Sequence, residues 1–487
     1  MAPGVLSSPH NSLRRSSLSS RRDKIATKIK NCLLNRNMNV EMPRIAIGEG
    51  NWWVNEEGDR IYDASTGAAV ACMGKYNERV LQATLKVQKA GLSYLPSSAF
   101  VTKVVEDLAH WVIKSTDYQM ELVAFYSGGS EAVEAALKMA VQYHQDKSPS
   151  ESRSLFIARD QSYHGNTMGA LDASGHEARK ALYHGVLPQN MHTIPPCNVY
   201  RNRAPGQSDG EYLEWHKTNL ANKIEELGPE NVAAFIMEPV VGAALGCAAA
   251  VPGYMKAMRE VCDKYGVLLI FDEVMCGMGR TGRVHAWQVE NVAPDIQTIG
   301  KGLAGGFEVI SGTLIAPKVA KVIREGPRNG SFIHGHTFQN QPKPAAAALE
   351  LQMIIEEGDV LRNVREKGLD LETKLRARLG DHRYVGDIRG PREGLFYAIE
   401  FVSDKATKTP FPREEEINAK IFELGLTKGY GIHVYPGAGS ADGRLGDHVI
   451  IAPAYNITTA EVDLIVDRIS RVIEDFFNQY EQQHGGQ

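Results

Sequence analysis

This chain has no excess of basic residues: 54 lysines and arginines stand against 58 aspartates and glutamates, for a formal net charge of -4. That balance supplies no positive field for nucleic acid and leaves small-molecule chemistry as the expectation. Cysteine is scarce and scattered. The six residues (Cys32, Cys72, Cys197, Cys247, Cys262, Cys276) show no C-x-x-C spacing. They read as reduced, mostly buried thiols of an intracellular protein, which excludes a disulfide framework and a zinc site. One apolar tract, Val232 to Val251, has membrane-spanning length. It is interrupted by Glu238-Pro239 and ends in glycine- and alanine-rich sequence, which excludes a span. No internal repeat is visible.

What is present is ordinary soluble composition, 43% hydrophobic and 23% charged. A length of 487 residues exceeds one simple core and predicts two domains, or one large domain with additions. Met1 to Arg22 is rich in serine and arginine, with no acidic residue before Asp23. It reads as a disordered polar tail of a cytoplasmic protein, with a mitochondrial presequence as the alternative. Asn51 to Asp63 carries a hairpin signal around a Glu-Gly-Asp turn. From Glu121 onward, strand-like runs alternate with helical stretches such as Glu131–His144 and Gly253–Tyr265. The expected strands are Leu122–Tyr126, Leu155–Ala158, Ala233–Met237, Leu268–Phe271, Ile296–Ile299 and Leu314–Ala316. That rhythm predicts a doubly wound, mostly parallel α/β sheet. Beyond Pro344 the sequence turns helix-rich (Ala345–Glu357, Leu361–Leu379), then strand-like over Gly386–Phe401, and closes on a helix, Thr459–Tyr480.

Two charged residues arrive at the ends of separate apolar runs. Val267–Phe271 ends in Asp272-Glu273, and 29 positions after Asp272 stands Lys301 within Gly300-Lys301-Gly302. Ligands of α/β proteins bind at the carboxyl ends of such strands. A lysine beside a carboxylate suits a Schiff-base cofactor. Lys301 would form the imine and then act as base, while Asp272 would keep a pyridine nitrogen protonated as the electron sink. Tyr126-Ser127-Gly128-Gly129-Ser130-Glu131-Ala132 leaves a strand and opens a helix, where free N–H groups and the dipole suit a phosphate; Ser127 or Ser130 as a plain N-cap is the competing reading. Gly277-x-Gly279-x-x-Gly282 matches the dinucleotide fingerprint literally. Its strand has already ended at Asp272 and no helix starts after Gly282, so a nicotinamide site is not expected. Gly300-Lys301-Gly302 lacks the glycine spacing and Ser/Thr of a nucleotide triphosphatase. His334 and His336 have no acidic or cysteine partner nearby, so no metal is expected. Tyr163 of Tyr163-His164-Gly165 could stack on a planar cofactor. Trp53, Tyr76 and Phe100 are further candidate pocket aromatics.

From about Asn31 to the final helix the chain resembles the class III (omega-type) aminotransferases, pyridoxal-phosphate enzymes of fold type I. The landmarks are Ser127 to Ala132, Tyr163-His164-Gly165, Glu238-Pro239, Asp272-Glu273-Val274, Gly279-Arg280-Thr281-Gly282, Gly300-Lys301-Gly302 and His336-Thr337-Phe338. The resemblance implies pyridoxal 5'-phosphate as cofactor, Lys301 as the Schiff-base lysine and Asp272 on the pyridine nitrogen. It also implies Tyr163 and Val274 on the two ring faces, Gly129 and Ser130 on the phosphate beside Ser127 and Gly128, and Glu238 at the cofactor. Thr337 would reach the phosphate of a neighbouring subunit, which makes the protein a homodimer with shared sites. The implied division is a tail (1–30), a small-domain segment (31–85), a large cofactor-binding domain (86–343) and the C-terminal part of the small α+β domain (344–487). Ala243 stands five residues after Glu238, where relatives using 2-oxoglutarate carry a glutamate. This makes the chain look like the omega-amine or pyruvate-type branch. Arg389 or Arg392 is the expected carboxylate fork. The implied activity is transfer of an amino group from an amine or amino acid to a 2-oxo acid. An aminomutase, epimerase or decarboxylase on the same scaffold is the alternative.

Overall fold

The computed structural model describes residues 32–484, so the Ser/Arg-rich tail expectation lies outside the described residues. Residues 32–44 form a unit of their own with no helix or strand; residues from Ile45 onward form the other. In that second unit the chain opens with β1 (Ile45–Glu49), β2 (Trp52–Asn55) and β3 (Arg60–Asp63), the last two forming the expected hairpin. The main sheet follows: β4 (Leu122–Tyr126), β5 (Leu155–Arg159), β6 (Met191–Ile194), β7 (Val232–Met237), β10 (Leu268–Asp272), β11 (Ile296–Ile299) and β12 (Ser311–Ile315), with a small ribbon of β8 (Val240–Val241) and β9 (Ala248–Ala249) between. The last strands are β13 (Val385–Arg389), β14 (Tyr397–Phe401), β15 (Ile432–His433), β16 (Tyr435–Gly437) and β17 (His448–Ile451).

The seven-stranded sheet has the order β4-β12-β11-β10-β7-β5-β6. Its pairings are parallel except those of β12, which runs antiparallel to both β11 and β4. Strand β7 is apolar throughout, and β10 is apolar up to its last residue, Asp272, because both faces are covered. Ala234, Ile236, Leu268 and Ile270 pack under the helix Gly129–Lys147 through Val133, Ala136 and Ala140. The alternate residues Phe235, Met237, Leu269 and Phe271 pack against Leu220, Ile224, Met258 and Val261 of the helices Asp209–Leu227 and Tyr254–Tyr265. An apolar side chain at every position is what a strand buried on both faces requires.

Strands β5, β7 and β10 each extend one residue beyond the sequence expectation, β12 differs by more, and the main sheet gains one strand. Strand β12 begins at Ser311, where the apolar run suggests Leu314. Its buried hydroxyls are satisfied inside the fold: Ser311 Oγ donates to the Gly128 carbonyl at 2.7 Å and Thr313 Oγ1 to the Ala132 carbonyl at 2.8 Å. Strand β6 carries no expectation at all; it is a four-residue edge strand, Met-His-Thr-Ile, too short and polar to announce itself. The strand-like tract Gly386–Phe401 is two strands, β13 and β14, joined by a turn that carries the exposed Arg392.

Early and late segments of the second unit meet. β3 pairs in parallel with β15, so a single sheet, β1-β2-β3-β15, joins segments nearly four hundred residues apart. Tyr62, Ala64 and Val80 share one core with Leu371, Tyr397, Ile465 and Phe477. No helix among the described residues is long and apolar enough to cross a membrane.

Candidate active site

The carboxyl ends of β4, β5, β7, β10 and β11 face one cavity of about 170 Å³. It is lined by Gly129, Ser130, Tyr163, His164, Gly165, Glu238, Asp272, Val274, Met275 and Lys301. The strand ends thus bring together Gly129, Ser130, Tyr163, Glu238, Asp272, Val274 and Lys301 from the residues expected from the sequence. Asp272, the last residue of β10, is buried and held on both oxygens. His164 Nδ1 lies 2.8 Å from Oδ2, while Thr298 Oγ1 and the Val274 amide donate to Oδ1 at 2.9 and 3.1 Å. Glu238 follows β7 and is tied to the backbone: the Tyr163 amide donates to one oxygen at 3.0 Å and the Gly242 amide to the other at 2.9 Å. Burial raises its pKa, and the nearby Asp272 adds to the shift against the partial relief of His164 and the two amides.

Lys301 follows β11 through Gly300 and has φ +41°, a conformation that a residue with a side chain adopts at a cost. Burial pulls its amine down to about 8, against the opposing pull of Glu238 and Asp272. Beside the cavity, burial pushes Glu273 up to about 8 although the Ala286 and Trp287 amides donate to it at 2.7 and 2.9 Å.

The helix Gly129–Lys147 begins at the cavity with no side-chain cap on Gly128. Neither serine fills that role. Ser127 Oγ meets His336 Nε2 at 3.3 Å, and Ser130 Oγ accepts from the Asn166 amide at 3.0 Å. The first amides of the helix are therefore left for a ligand, as a phosphate site needs. Gly129 is required for closeness: a Cβ there would lie 2.7 Å from Val274 Cγ1, where Val274 forms a wall of the cavity. Gly165 has φ +141° and passes against Ser130. Pyridoxal phosphate fits this donor set. A lysine amine, a fixed carboxylate, an uncapped helix start and the His164 Nε2 with no protein partner share one small space.

Other expected residues lie elsewhere in this chain. Ser127 and Gly128 flank the cavity, and Thr337 is exposed. Trp53 donates from Nε1 to Asp63 at 3.2 Å with Lys75 over its ring at 3.9 Å, while Tyr76 and Phe100 are exposed. None of the three lines the cavity. Arg389, expected as a carboxylate fork, spends its donors inside the fold. It lies 2.6 Å from Glu400 and 3.1 Å from Asp387, and donates from Nε to the Leu245 carbonyl at 3.0 Å. Among the described residues no group of histidine, cysteine and acidic side chains is placed to hold a metal ion. His164, Thr298 and Met275 were not singled out from sequence. Thr298 carried a signal, a polar residue inside the buried run Ile296–Ile299; His164 had only its place beside Tyr163.

The family model described as "Aminotransferase class-III" matches residues 35–473. The chain belongs to the class III aminotransferases. An aminotransferase of Gibberella zeae is 45% identical over 422 residues, covering 86% of this chain and 81% of that protein. Among solved structures, an (S)-enantioselective omega-transaminase from Thermomicrobium roseum matches with a TM-score of 0.85 at 30% identity, covering 93% of this chain and 98% of that one. An amine transaminase from an uncultivated Pseudomonas species, in its PLP-bound form, matches with a TM-score of 0.83 at 30% identity, covering 91% and 98%. The chain is accordingly an aminotransferase with the fold-type I architecture, and the dinucleotide-like glycines are part of that fold. Arg280 within them is buried and donates to the Leu395 and Pro453 carbonyls at 2.9 and 2.6 Å.

Proposed function

We propose that this aminotransferase moves an amino group from an omega-amine type donor to a 2-oxo acid such as pyruvate, using pyridoxal 5'-phosphate attached through Lys301. The observation that carries the proposal is one cavity holding both Lys301 and Asp272, with the carboxylate fixed by His164, Thr298 and the Val274 amide. When bound, the cofactor supplies an electron sink for the bond being broken at the substrate carbon. The residues of the chain do the rest. Asp272 would face the ring nitrogen of the bound cofactor, and its three partners keep the carboxylate from turning away. Lys301, with its amine drawn down to about 8, is partly neutral near pH 7 and so can attach an aldehyde and later take and return the substrate proton at Nζ. Tyr163 and Val274 bound the ring, and Gly129 and Ser130 receive the phosphate at the helix start, with Ser127 and Gly128 behind them. Ala243 leaves no carboxylate at the position where relatives using 2-oxoglutarate place one, which supports the omega-amine reading.

The proposal includes a homodimer in which Thr337 of a second copy completes the phosphate site. Support comes from apolar side chains standing in solvent beside Thr337: Phe338 packs edge-on to Tyr94 at 6.0 Å, and both are about half exposed.

Purified protein loaded with pyridoxal phosphate tests the reading in two steps. An amine added alone should bleach the yellow absorbance, and pyruvate added next should restore it with formation of alanine. Product formed from the amine with no acceptor consumed would overturn transamination.

A further inference from the structure

Arg159, the last residue of β5, is a buried cation with no acid to pair with. It is 1% exposed, and among the described residues no carboxylate lies within 4.0 Å of its guanidinium. Nη2 donates to the Glu238 carbonyl, the central carbon lies 5.6 Å from the centroid of the Tyr254 ring, and Nε has no protein partner. Taking a guanidinium out of water is costly, and an ion pair is the usual compensation. An uncharged side chain of the same length would serve packing alone. The charged donor therefore directs attention to its acceptor.

That acceptor stands where backbone pairing has run out. Strand β7 ends at Met237, and Glu238 precedes Pro239, whose nitrogen carries no hydrogen for a ladder. The pairing of β5 with β7 stops short of this level, and the Arg159 side chain supplies the crosslink that the ladder no longer gives. A second crosslink runs the opposite way. The Glu238 carboxylate accepts from the Tyr163 amide at 3.0 Å and from the Gly242 amide at 2.9 Å. The turn between Arg159 and Tyr163 is tied as well: Ser162 Oγ donates to the Arg159 carbonyl at 2.8 Å and accepts from the Gly175 amide at 3.0 Å. Arg159, Glu238 and Tyr163 thus close a ring of contacts across the two strand ends. Glu238 and Tyr163 line the cavity that holds Lys301 and Asp272, while Arg159 stands behind it.

We infer that Arg159 is a positioning residue for the cofactor cavity. By holding the Glu238 carbonyl it sets the Glu238 carboxylate, and through that carboxylate the Tyr163 backbone, so that the Tyr163 ring keeps its place as a wall. The inference rests on the cofactor reading proposed above, which gives that wall a ring to bound.

The test compares the full chain with its Arg159→Met and Arg159→Lys variants in two measurements. Hydrogen exchange of the cofactor-free chain reads the crosslink itself. The peptide carrying the Tyr163 amide should exchange roughly 10-fold faster in Arg159→Met, while peptides from the helix Asp209–Leu227 keep their wild-type rates. Arg159→Lys retains a charged donor and should fall between the two; it carries the comparison if Arg159→Met does not fold. The second measurement is the dissociation of pyridoxal phosphate, followed by visible absorbance and circular dichroism, with Tyr163 present and in a Tyr163→Ala background. Arg159→Met should weaken retention roughly 3- to 10-fold when Tyr163 is present and leave it unchanged in Tyr163→Ala, where the wall to be positioned is gone. An equal loss in both backgrounds, as a merely structural role would produce, overturns the inference, and so does an unaltered Tyr163 amide. If the wild-type chain takes up no pyridoxal phosphate, the cofactor reading itself fails and the inference falls with it, whereas the exchange rates still decide the crosslink.

Discussion

Lys301 combines two unfavourable states, a positive φ and a buried amine whose pKa is drawn down to about 8. Burial raises the cost of the charged amine and favours a neutral nucleophile, while the positive φ is backbone strain that the surrounding fold holds in place. In the cofactor-free enzyme, the rate at which pyridoxal is captured should therefore climb as pH rises from 6 to 9, with its midpoint near 8 rather than near the ordinary lysine value of 10.5. Stopped-flow absorbance reads this directly, and Lys301→Ala should remove the phase while leaving the circular dichroism of the fold intact. Asp272→Asn keeps the shape of the side chain and loses the charge at the ring. Removal of one fixed electrostatic partner costs roughly 10²–10³-fold in kcat, so the variant should retain cofactor and turn over that much more slowly. An unaltered kcat would deny Asp272 its role. Both residues were legible as charges ending apolar runs. Their setting was not: the contacts of His164 and Thr298 to Asp272 span 108 and 26 positions of sequence.

At the scale of elements, the glycine-rich stretch Gly277–Gly282 shows where a local pattern misleads. It carries the spacing of a dinucleotide loop, yet no helix starts from it; the next element is a single 3-10 turn, Ala286–Val289. Its glycines take φ +100° at Gly279 and +84° at Gly282 so that Arg280 can turn inward between them. There Arg280 lies over the Tyr455 ring at 4.6 Å and donates to two carbonyls of distant segments. Arg280→Met retains volume but strands both acceptors. Each buried unsatisfied carbonyl costs about 1–3 kcal/mol, so chemical denaturation should show a loss of about 2–6 kcal/mol for the two. Strand β12 teaches a related lesson. Composition trims it because Ser311 and Thr313 look solvent-seeking, whereas the helix carbonyls above them provide the acceptors that make their burial tolerable.

Across the whole molecule, Asp63 is the joint between the two ends of the chain. It sits beside Lys75 in a buried ion pair and meets His433 Nδ1 at 3.1 Å, next to the pairing of β3 with β15. Burial works against its charge, but His433 and Lys75 outweigh that and hold the carboxyl well below the usual range. A depressed folded-state pKa gives stability that is complete above the unfolded value, near ~3.9 for aspartate, and that drains away as pH falls through the lower folded value. Asp63→Asn should cost roughly 3–5 kcal/mol at pH 7, the range for breaking a buried pair. In urea melts the gap to wild type should narrow as pH drops below about 4; a gap that holds constant to pH 2 would assign the loss to packing alone. For the proposed dimer, Phe338→Asp places a charge in the exposed aromatic patch. Sedimentation should show the variant shifted toward single chains, with cofactor retention reduced if Thr337 of the second copy completes the phosphate site.

The chemistry proposed for this protein is readable from local sequence. Strands buried on both faces are mostly apolar, so the charged residues at or just beyond their ends, Asp272 and Lys301, stand out, and the glycines at the helix start mark a place for a phosphate. The sequence also determined the fold class, through the alternation of those strands with amphipathic helices. Only the tertiary structure decided which charges are spent inside the fold and which remain for a ligand. Arg389 reads locally as a carboxylate fork, and nothing in its immediate sequence says otherwise. Its partners decide the matter: the Leu245 carbonyl from a distant segment, and Glu400 on the neighbouring strand, engage its donors.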